Sequence, residues 1–415
     1  MPPAAPPTHH WTARLLLPEG VAGAARPVLA ARALRAFADG YVAVLLPAYL
    51  LALGFSTLEV GLLATTTLLG TALTTLAVGA WGHRFQDRRL LQAAGVLMAA
   101  TGFAFAAPSA YWPLLLIAFV GTLNPSAGDV SVFLPLEHAR LAHAAHGKAR
   151  TAVFARYSVL GALVGSLGSL AAGMPEWLAA HGGLTRLPAM RWMFVLYGVI
   201  GVAVWLVYRR LPATTVKDHG PSAPLGRSRS VVVRLAALFC VDAFAGGLVL
   251  NSLLALWLFK RFDMSLASAG AFFFWAGLLN AASQLAAPAV ADRIGLLNTM
   301  VFTHIPSSIC LILAALVPDL HGALGLLLMR ALLSQMDVPT RSAYVMAVVT
   351  PGERAAAASF TAVPRSLASA LSPSLGGALF AAGWLAAPLV ACGVLKIAYD
   401  LALWRAFRRH KIDEH

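Results

Sequence analysis

Ionisable side chains recur at matching positions inside long apolar stretches of the sequence. Six of them form two sets in the same order, one in each half of the chain: Asp39, Asp129 and Arg156, then Asp242, Asp337 and Arg365. At bilayer depth such a group costs about 2.5–3.5 kcal/mol on insertion scales, so it needs a partner, a water-filled cavity or a function. A carboxylate there can carry a proton, and a guanidinium can bind an anion.

Each set combines two carboxylates with one guanidinium. We expect Arg156 to pair with Asp129, and Arg365 with Asp337, because helical rise brings the members of each set to similar depths. Such pairs either hold neighbouring helices together or form part of a transport site, since buried ions find partners in both cases. The sequence leaves both interpretations open.

The surplus of carboxylates in these sets defines the predicted proton-coupling residues, which are Asp39, Asp129 and Asp242. A carboxylate beside a satisfied ion pair in a low-dielectric setting is disfavoured in its ionised form, so it can bind and release a proton. Arg341 adds a positive charge to the second set, whereas the first set has Arg156 alone. We therefore predict that Asp39 or Asp129 carries the coupling proton.

A stripe of polar residues lies between residues 330 and 344. Arg330, Ser334, Asp337, Arg341 and Tyr344 recur at spacings of four, three, four and three residues, which places them on one face of a helix. In lipid this face needs a water-filled cavity or an internal pair of Asp337 with Arg341, and we predict the cavity. Arg341 and Arg365 would then hold the polar or anionic part of a substrate. The predicted substrate-binding residues are Asp337, Arg341, Tyr344, Arg365 and Arg156.

Membrane-spanning helices are the elements that must position these groups. The 415 residues are 59% hydrophobic and 12% charged, with a mean hydropathy of +0.75, whereas soluble domains carry about 25% charge. Because a spanning helix needs roughly 20 apolar residues, the sequence predicts an all-α membrane protein with twelve spans. They lie at about 31–53, 58–82, 89–108, 112–138, 150–172, 191–209, 231–259, 267–291, 297–317, 321–349, 355–382 and 384–407.

The basic residues predict how the chain is oriented. Of the 31 Lys and Arg, 22 fall in segments that an even number of spans places on one side, four fall on the other side and five lie within spans. The positive-inside rule then puts both termini in the cytoplasm and the chain in the inner (plasma) membrane. This bias also explains the net charge of +14, so no nucleic-acid partner is expected. The first 30 residues lack the pattern of a cleaved signal peptide.

The longest polar stretch divides the chain into two halves. The predicted organisation is an N-terminal arm at 1–30, a six-helix bundle at 31–210, a linker at 211–230, a second six-helix bundle at 231–407 and a tail at 408–415. The halves resemble one another. The first span of each half carries an aspartate, and that span ends in a short turn. Internal repeats of this kind often form the two sides of a transport pathway.

Two loops carry a resemblance to a known family. The loop after the second span reads Gly79-Ala80-Trp81-Gly82-His83-Arg84-Phe85-Gln86-Asp87-Arg88-Arg89, and the loop after the eighth reads Ala291-Asp292-Arg293-Ile294-Gly295. Together with twelve spans and a basic linker, they resemble the major facilitator superfamily, whose signature is Gly-x-x-x-Asp-Arg-x-Gly-Arg-Arg. His83, Gln86 and Asp87 depart from that pattern. The resemblance implies two pseudo-symmetric bundles and inner gating loops that contain Gly79, His83, Arg84, Arg88, Asp292, Arg293 and Gly295.

The resemblance implies a secondary transporter that works by alternating access. The runs Asp337-Val338-Pro339-Thr340-Arg341 and Pro351-Gly352-Glu353-Arg354 are similar to those of bacterial drug and proton antiporters, which favours proton-coupled export of a small solute. The alternatives are a facilitator or symporter of a small organic anion, and a non-transporting receptor on the same fold. The sequence contains no phosphate-binding loop and no catalytic grouping, so we do not expect an enzyme, a cofactor or a metal site. We expect the transporter to be a monomer.

Overall fold

The computed structural model describes residues 25–107, 109–126, 131–144, 147–212, 226, 228–350 and 353–408. Asp129, the side chain of His83 and most of the predicted arm, linker and tail lie outside this part of the chain. The described residues form sixteen α-helices: α1 Ala25–Ala52, α2 Thr57–Trp81, α3 Asp87–Ala106, α4 Tyr111–Val120, α5 Phe133–Ala144, α6 Gly147–Ala171, α7 Met174–His181, α8 Arg186–Arg209, α9 Arg229–Gly247, α10 Asn251–Phe262, α11 Leu266–Ile294, α12 Leu296–Leu316, α13 Leu320–Ser334, α14 Asp337–Val348, α15 Arg354–Ala381 and α16 Ala387–Phe407.

Nine segments of the described chain are long and apolar enough to cross a bilayer. They correspond to nine of the predicted spans, with boundaries shifted by a few residues. The three remaining spans contain α4 with α5, α13 with α14, and α15. The short helix α7 follows α6 and was not expected from the sequence.

Three predicted spans are wrong as continuous helices, because the fourth, seventh and tenth are each interrupted. Proline explains two interruptions: Pro125 follows the end of α4, and Pro339, which has no N–H to bond to residue 335, lies in the first turn of α14. In the seventh span the helix stops after Gly246 and Gly247. The chain restarts at α10, where the Ser252 amide donates to the Pro125 carbonyl at 3.0 Å.

The two halves contact each other mainly along two helix pairs, α2 with α15 and α6 with α11, with smaller contacts of α1 with α10 and α11. Small residues permit the approach: a Cβ added to Gly61 would lie 2.5 Å from the Pro373 carbonyl oxygen. These contacts lie at the membrane end where α2 and α11 begin, which we name the opposite end. The end where α8 finishes and α9 begins is the linker end. The loop between α11 and α12 lies at the linker end, and Gly295 has a φ of +85° there, a conformation that favours glycine.

Candidate functional site

A cavity of about 1730 Å³ lies between the two halves and opens at the linker end. Its wall includes residues of α1, α2, α5 and α6 from the first half and of α11, α13 and α15 from the second. The loop from Gly79 to Leu90 borders the mouth. The cavity is large enough to hold a small solute together with water.

Cationic side chains dominate the charges that line this cavity. Arg330 on α13 and Arg365 on α15 both line it, and neither guanidinium forms an ion pair or hydrogen bond with any described residue. Arg32 lines the first-half wall, where its guanidinium lies 4.9 Å from the Tyr157 ring centroid. Among the described lining residues the one carboxylate is Asp87, at the mouth. The deep wall is therefore positively charged.

Uncharged polar groups complete the wall. The Gln284 amide donates to the Gln335 carbonyl oxygen at 3.3 Å, and the Ser334 hydroxyl donates to Asn280 at 3.5 Å. Asn280, Gln284 and Gln335 line the cavity, and these bonds join α11 to the interruption between α13 and α14. Such groups can bind the polar parts of a solute once a charged group has oriented it.

The opposite end is closed by a carboxylate that bridges the halves. The two carboxylate oxygens of Glu176, on α7, accept hydrogen bonds from the Leu266 and Ala267 amides at 2.9 and 3.0 Å. These amides belong to the first turn of α11, whose dipole favours a negative charge. Arg186 pairs with the same carboxylate at 3.1 Å. Glu176 thus joins the two halves where the cavity is shut.

Six ionisable residues form a buried network in the second half, the second-half cluster: Asp242, His304, Asp337, Arg341, Lys396 and Asp400. Asp242 is at its centre, 2.6 Å from the Lys396 ammonium and 3.2 Å from the Arg341 guanidinium. Arg341 also pairs with Asp337, one helical turn earlier. His304 places Nδ1 3.0 Å from Asp400 and Nε2 3.3 Å from the Lys396 ammonium.

The first half contains a smaller network, the first-half cluster: Arg35, Glu137, Tyr157 and Tyr208. Arg35 pairs directly with Glu137, which is fully buried. The Tyr157 and Tyr208 hydroxyls donate to the two carboxylate oxygens at 2.6 and 2.7 Å. The Arg35 guanidinium also stacks 4.2 Å from the centroid of the Phe133 ring. Every charge in this cluster has a close partner.

The structure separates the predicted substrate-binding residues. Arg365 lines the cavity as expected. Asp337, Arg341 and Tyr344 are buried behind the wall, so the prediction that the whole stripe faces the cavity is wrong. The cause is the interruption before α14, which turns the stripe, so that Arg330 faces the cavity, Asp337 and Arg341 join the second-half cluster, and Tyr344 packs against Phe407. Arg156 is half-buried on α6 and is not among the lining residues.

The predicted pair of Asp337 with Arg365 does not form, because Asp337 pairs with Arg341 on its own helix. The charged groups that act most strongly on Arg365 are Arg341 and Asp242. The corresponding first-half pair involves Asp129, which lies outside the described residues. Asp39 is buried on α1 and interacts electrostatically with Arg35.

The predicted gating loops border the open end. Gly79 and Arg84 line the mouth, and Arg88 donates to the Arg209 carbonyl at 2.8 Å within its own half. Asp87 lies 3.8 Å from Arg140. Asp292 and Arg293 end α11 on the other side of the mouth. The role of these loops as gates stays a prediction.

A further carboxylate, Glu353, is buried at the linker end just before α15. It accepts hydrogen bonds from the Gly226 amide and, at 2.8 Å, from the Thr350 hydroxyl. The Ser228 hydroxyl, the Gly226 amide and the Thr350 hydroxyl lower the pKa of Glu353 to about 2. The carboxylate connects the start of the second half to the loop between α14 and α15.

Several residues that the structure brings together were not assigned to sites from the sequence. Arg35 and Glu137 form a buried pair that the sequence analysis did not single out. The second-half cluster adds His304, Lys396 and Asp400, whose signal was their position inside apolar spans. Lys396 and Asp400 lie one helical turn apart, which places them on one helix face.

The described helices form two packed halves around a charged central cavity, an arrangement typical of membrane transporters. The family model of the Major Facilitator Superfamily matches residues 28–336, and the chain belongs to that family. An uncharacterized membrane protein of Saccharomyces cerevisiae is 23% identical over 406 residues, which cover 89% of this chain and 91% of that protein.

Solved structures of transporters share the fold. A bacterial homolog of the human lysosomal transporter Spinster, in an inward-facing and occupied conformation, has a TM-score of 0.72 and 16% identity, with 94% of this chain and 98% of that chain covered. The nucleoside transporter NupG has a TM-score of 0.69 and 14% identity, with 94% of this chain and 100% of that chain covered. The human organic anion transporter MFSD10 has a TM-score of 0.61 and 18% identity, with 91% of this chain and 99% of that chain covered. The chain is a multi-pass membrane protein that transports a solute.

Proposed function

We propose that the solute is a small organic anion. The observation that carries this proposal is the pair of guanidiniums, Arg330 and Arg365, which line the cavity at membrane depth without a partner among the described residues. An unpaired charge at this depth is costly unless water or a ligand stabilises it. A guanidinium matches carboxylate, sulfonate and phosphate groups through paired hydrogen bonds, so an anion is the ligand that this wall favours.

Alternating access would carry the anion across the membrane. With the cavity open at the linker end, the anion enters from the side that the basic residues assign to the cytoplasm. Transport then requires the Glu176 contacts to separate while the gating loops close the other side. We place the chain in the plasma membrane with its termini in the cytoplasm. Labelling of a cysteine introduced at Ser222 by an impermeant reagent in intact cells would contradict this orientation.

An anion could be transported by proton symport, by proton antiport or without coupling to protons. A proton and an anion attract each other, so their binding to nearby sites is mutually favourable, which supports symport. Export by proton antiport, which the sequence motifs favour, requires the two to compete. A cytoplasm that is negative inside would drive an uncoupled anion outward by about 2.3 kcal/mol per 100 mV. We favour symport, and the driving force of transport in vesicles distinguishes the three cases.

A binding screen tests the proposal on purified protein. Monocarboxylates, aryl sulfonates and nucleoside monophosphates are each compared with the matching amide, sulfonamide or nucleoside by thermal shift, because a ligand of the native state raises its stability. We expect an anion to stabilise the wild type and its neutral analogue not to. Arg365→Gln and Arg330→Gln should remove the shift, whereas Lys260→Gln, at an exposed site, should keep it. Stabilisation by neutral members only would overturn the proposal.

A receptor that does not transport is the remaining alternative. It predicts binding without flux, so a radiolabelled anion that stabilises the protein should fail to exchange across proteoliposome membranes. Exchange in proteoliposomes, and its loss in empty liposomes, would exclude this alternative.

A further inference from the structure

We infer that the second-half cluster holds one exchangeable proton on the His304–Asp400 pair, and that an anion bound at Arg365 draws this proton in. The inference deepens the proposed function and rests on it for the identity of the bound anion. It differs from the sequence-based prediction, which assigned the proton to Asp39 or Asp129.

The two residues meet at one depth inside the bilayer. His304 lies about 12 Å along α12 from the linker end, and Asp400 lies about 11 Å along α16 from the same end. Both are buried, at 4% and 0% exposure. Bulk water is therefore excluded from the pair, and a proton gained or lost there changes the charge of a low-dielectric site.

The imidazole has a different partner at each nitrogen. Nδ1 faces both carboxylate oxygens of Asp400, at 3.0 and 3.1 Å, and Nε2 faces the Lys396 ammonium at 3.3 Å. A neutral imidazole satisfies this arrangement by donating from Nδ1 and accepting at Nε2. An added proton resides on the Asp400 carboxyl group, or on Nε2 after Lys396 turns fully to Asp242. In both cases it belongs to the pair.

The balance of fixed charges decides whether the pair is protonated. The cluster contains three carboxylates, Asp242, Asp337 and Asp400, but only two permanent cations, Arg341 and Lys396. Two cavity cations also act on the cluster, Arg365 through Asp242 and Arg330 through His304. An anion that neutralises Arg365 makes the electrostatic potential at the cluster less positive. Protonation of the His304–Asp400 pair is then less opposed, because the loss of a nearby positive charge favours the protonated form.

The groups that face the pair come from every packed helix with a charge nearby. They are Asp242 of α9, Arg330 of α13, Arg341 of α14, and Lys396 and Tyr399 of α16, while Arg365 of α15 acts on Asp242. The positive charge of Arg330 acts on His304 and opposes a further positive charge there. An anion at Arg330 would weaken this opposition. Both cavity guanidiniums therefore link anion binding to proton binding in the same direction.

Reciprocity then gives the transport consequence. If the anion favours the proton, the proton favours the anion by the same factor. The protein would cross between its two conformations with both bound or with neither bound, which is symport of one proton with one negative charge. The cluster lies behind the wall, so the proton and the anion need not touch.

A measurement without any ligand tests the inference. Arg365→Gln removes the charge that a bound anion would neutralise, so it should raise the midpoint of the His304 titration, because losing a positive charge near Asp242 favours protonation within the cluster. The midpoint is followed by NMR of ¹⁵N-histidine-labelled protein in detergent. Comparison with His304→Gln assigns the signal among the 12 histidines. Lys260→Gln is the matched control, and Arg365→Lys should restore the wild-type midpoint.

Two results would overturn the inference. One is a His304 signal that does not titrate between pH 5 and 9 in either wild type or Arg365→Gln, as expected of a purely structural pair. The other is an equal midpoint in wild type, Arg365→Gln and Asp400→Asn. If His304→Gln does not fold, assignment by Asp400→Asn replaces it.

The proposed function can fail separately. If no anion binds in the screen while Arg365→Gln still moves the His304 midpoint, the proton site stands and the anion proposal falls. If an anion binds and exchanges while the midpoint is unchanged, the anion proposal stands and the proton inference falls.

Discussion

The two halves of this transporter share a repeat but use buried charge differently. In the first-half cluster one carboxylate, Glu137, has one guanidinium partner and two tyrosine hydroxyls. In the second-half cluster three carboxylates face two permanent cations and a histidine. The charges of the first-half cluster balance without an added proton. In the second-half cluster the carboxylates outnumber the permanent cations, so the charge balance depends on a cavity arginine or on a proton.

This difference separates a structural use of buried ions from a functional one. The fully partnered pair fixes helices α1, α5, α6 and α8 relative to each other. Binding or releasing a proton would not stabilise this pair further. A cluster that lacks one charge responds to whatever binds next to it. The second half also supplies both unpaired cavity guanidiniums. We therefore assign rigidity to the described first half and both ligand and proton binding to the second.

The largest expected effect comes from breaking the first-half pair. Glu137→Gln leaves the Arg35 charge buried without a counter-ion, which should reduce stability by about 3 kcal/mol or more at every pH. Asp400→Asn imitates a protonated carboxyl group and should cost about 1 kcal/mol or less at acidic pH. Thermal unfolding in detergent between pH 5 and 8 compares them. Equal losses at all pH values would remove the distinction between the halves.

The second effect concerns coupling. A proton crossing a gradient of one pH unit supplies about 1.4 kcal/mol, which allows roughly tenfold accumulation of a symported anion. Asp400→Asn should abolish this accumulation in proteoliposomes and leave exchange at equal pH within about twofold, because it keeps the cavity intact. Asp39→Asn should preserve accumulation. The reverse outcome for these two variants would restore the sequence-based assignment of the proton to the first half.

The third effect is on the contact between the halves. Glu176→Gln removes the charge that caps α11, which should cost the closed opposite end about 1 kcal/mol, or roughly a fivefold change in the ratio of conformations. Distances between spin labels at Ala110→Cys and His321→Cys report the opening in a background that lacks the native cysteines. Glu59→Gln is the control, since Glu59 bonds to Ser56 within its own half. An unchanged distribution for Glu176→Gln would contradict this role.

The smallest effect is at the linker end. A Glu353 pKa held near 2 contributes stability that is present above the unfolded value of about 4.3 and is lost as pH falls toward 2. Glu353→Gln should therefore unfold at a lower temperature than wild type at pH 6, with the gap narrowing by pH 3. Thr350→Val, which keeps the carboxylate but removes one donor, should show a smaller gap. A gap that is constant from pH 6 to pH 3 would show that the carboxylate charge is not involved.

Periodicity and hydropathy were sufficient to predict the helical fold and the pairing of two similar halves. They located nine apolar segments correctly because a bilayer demands long apolar runs whatever the tertiary contacts. They failed at the interruptions beside Pro125 and Pro339. A proline within an apolar run is tolerated when another helix supplies hydrogen-bond partners, and the Ser252 amide, which lies in the other half, cannot be foreseen from local sequence.

The sequence predicted that charged residues lie inside the membrane, but not how these residues pair. Intramembrane charge singled out Arg365, which lines the cavity, and Asp242 and Arg341, which pair in the second-half cluster. It could not show which carboxylate pairs with which cation, because α9, α12 and α16 meet only in the folded bundle. The turn before α14 then separated Arg330 from Arg341, which a continuous helix would have kept on one face.

Exchange of an anion across proteoliposome membranes at equal pH tests the central claim most directly. The measurement compares a radiolabelled anion from the binding screen with its neutral analogue, in wild type, Arg330→Gln/Arg365→Gln and Lys260→Gln. We predict exchange of the anion by wild type and Lys260→Gln, with at least a tenfold loss in the double variant, which is about 1.4 kcal/mol of lost binding. Equal exchange of the anion by wild type and the double variant, or exchange of the neutral analogue alone, would contradict an anion site in this cavity.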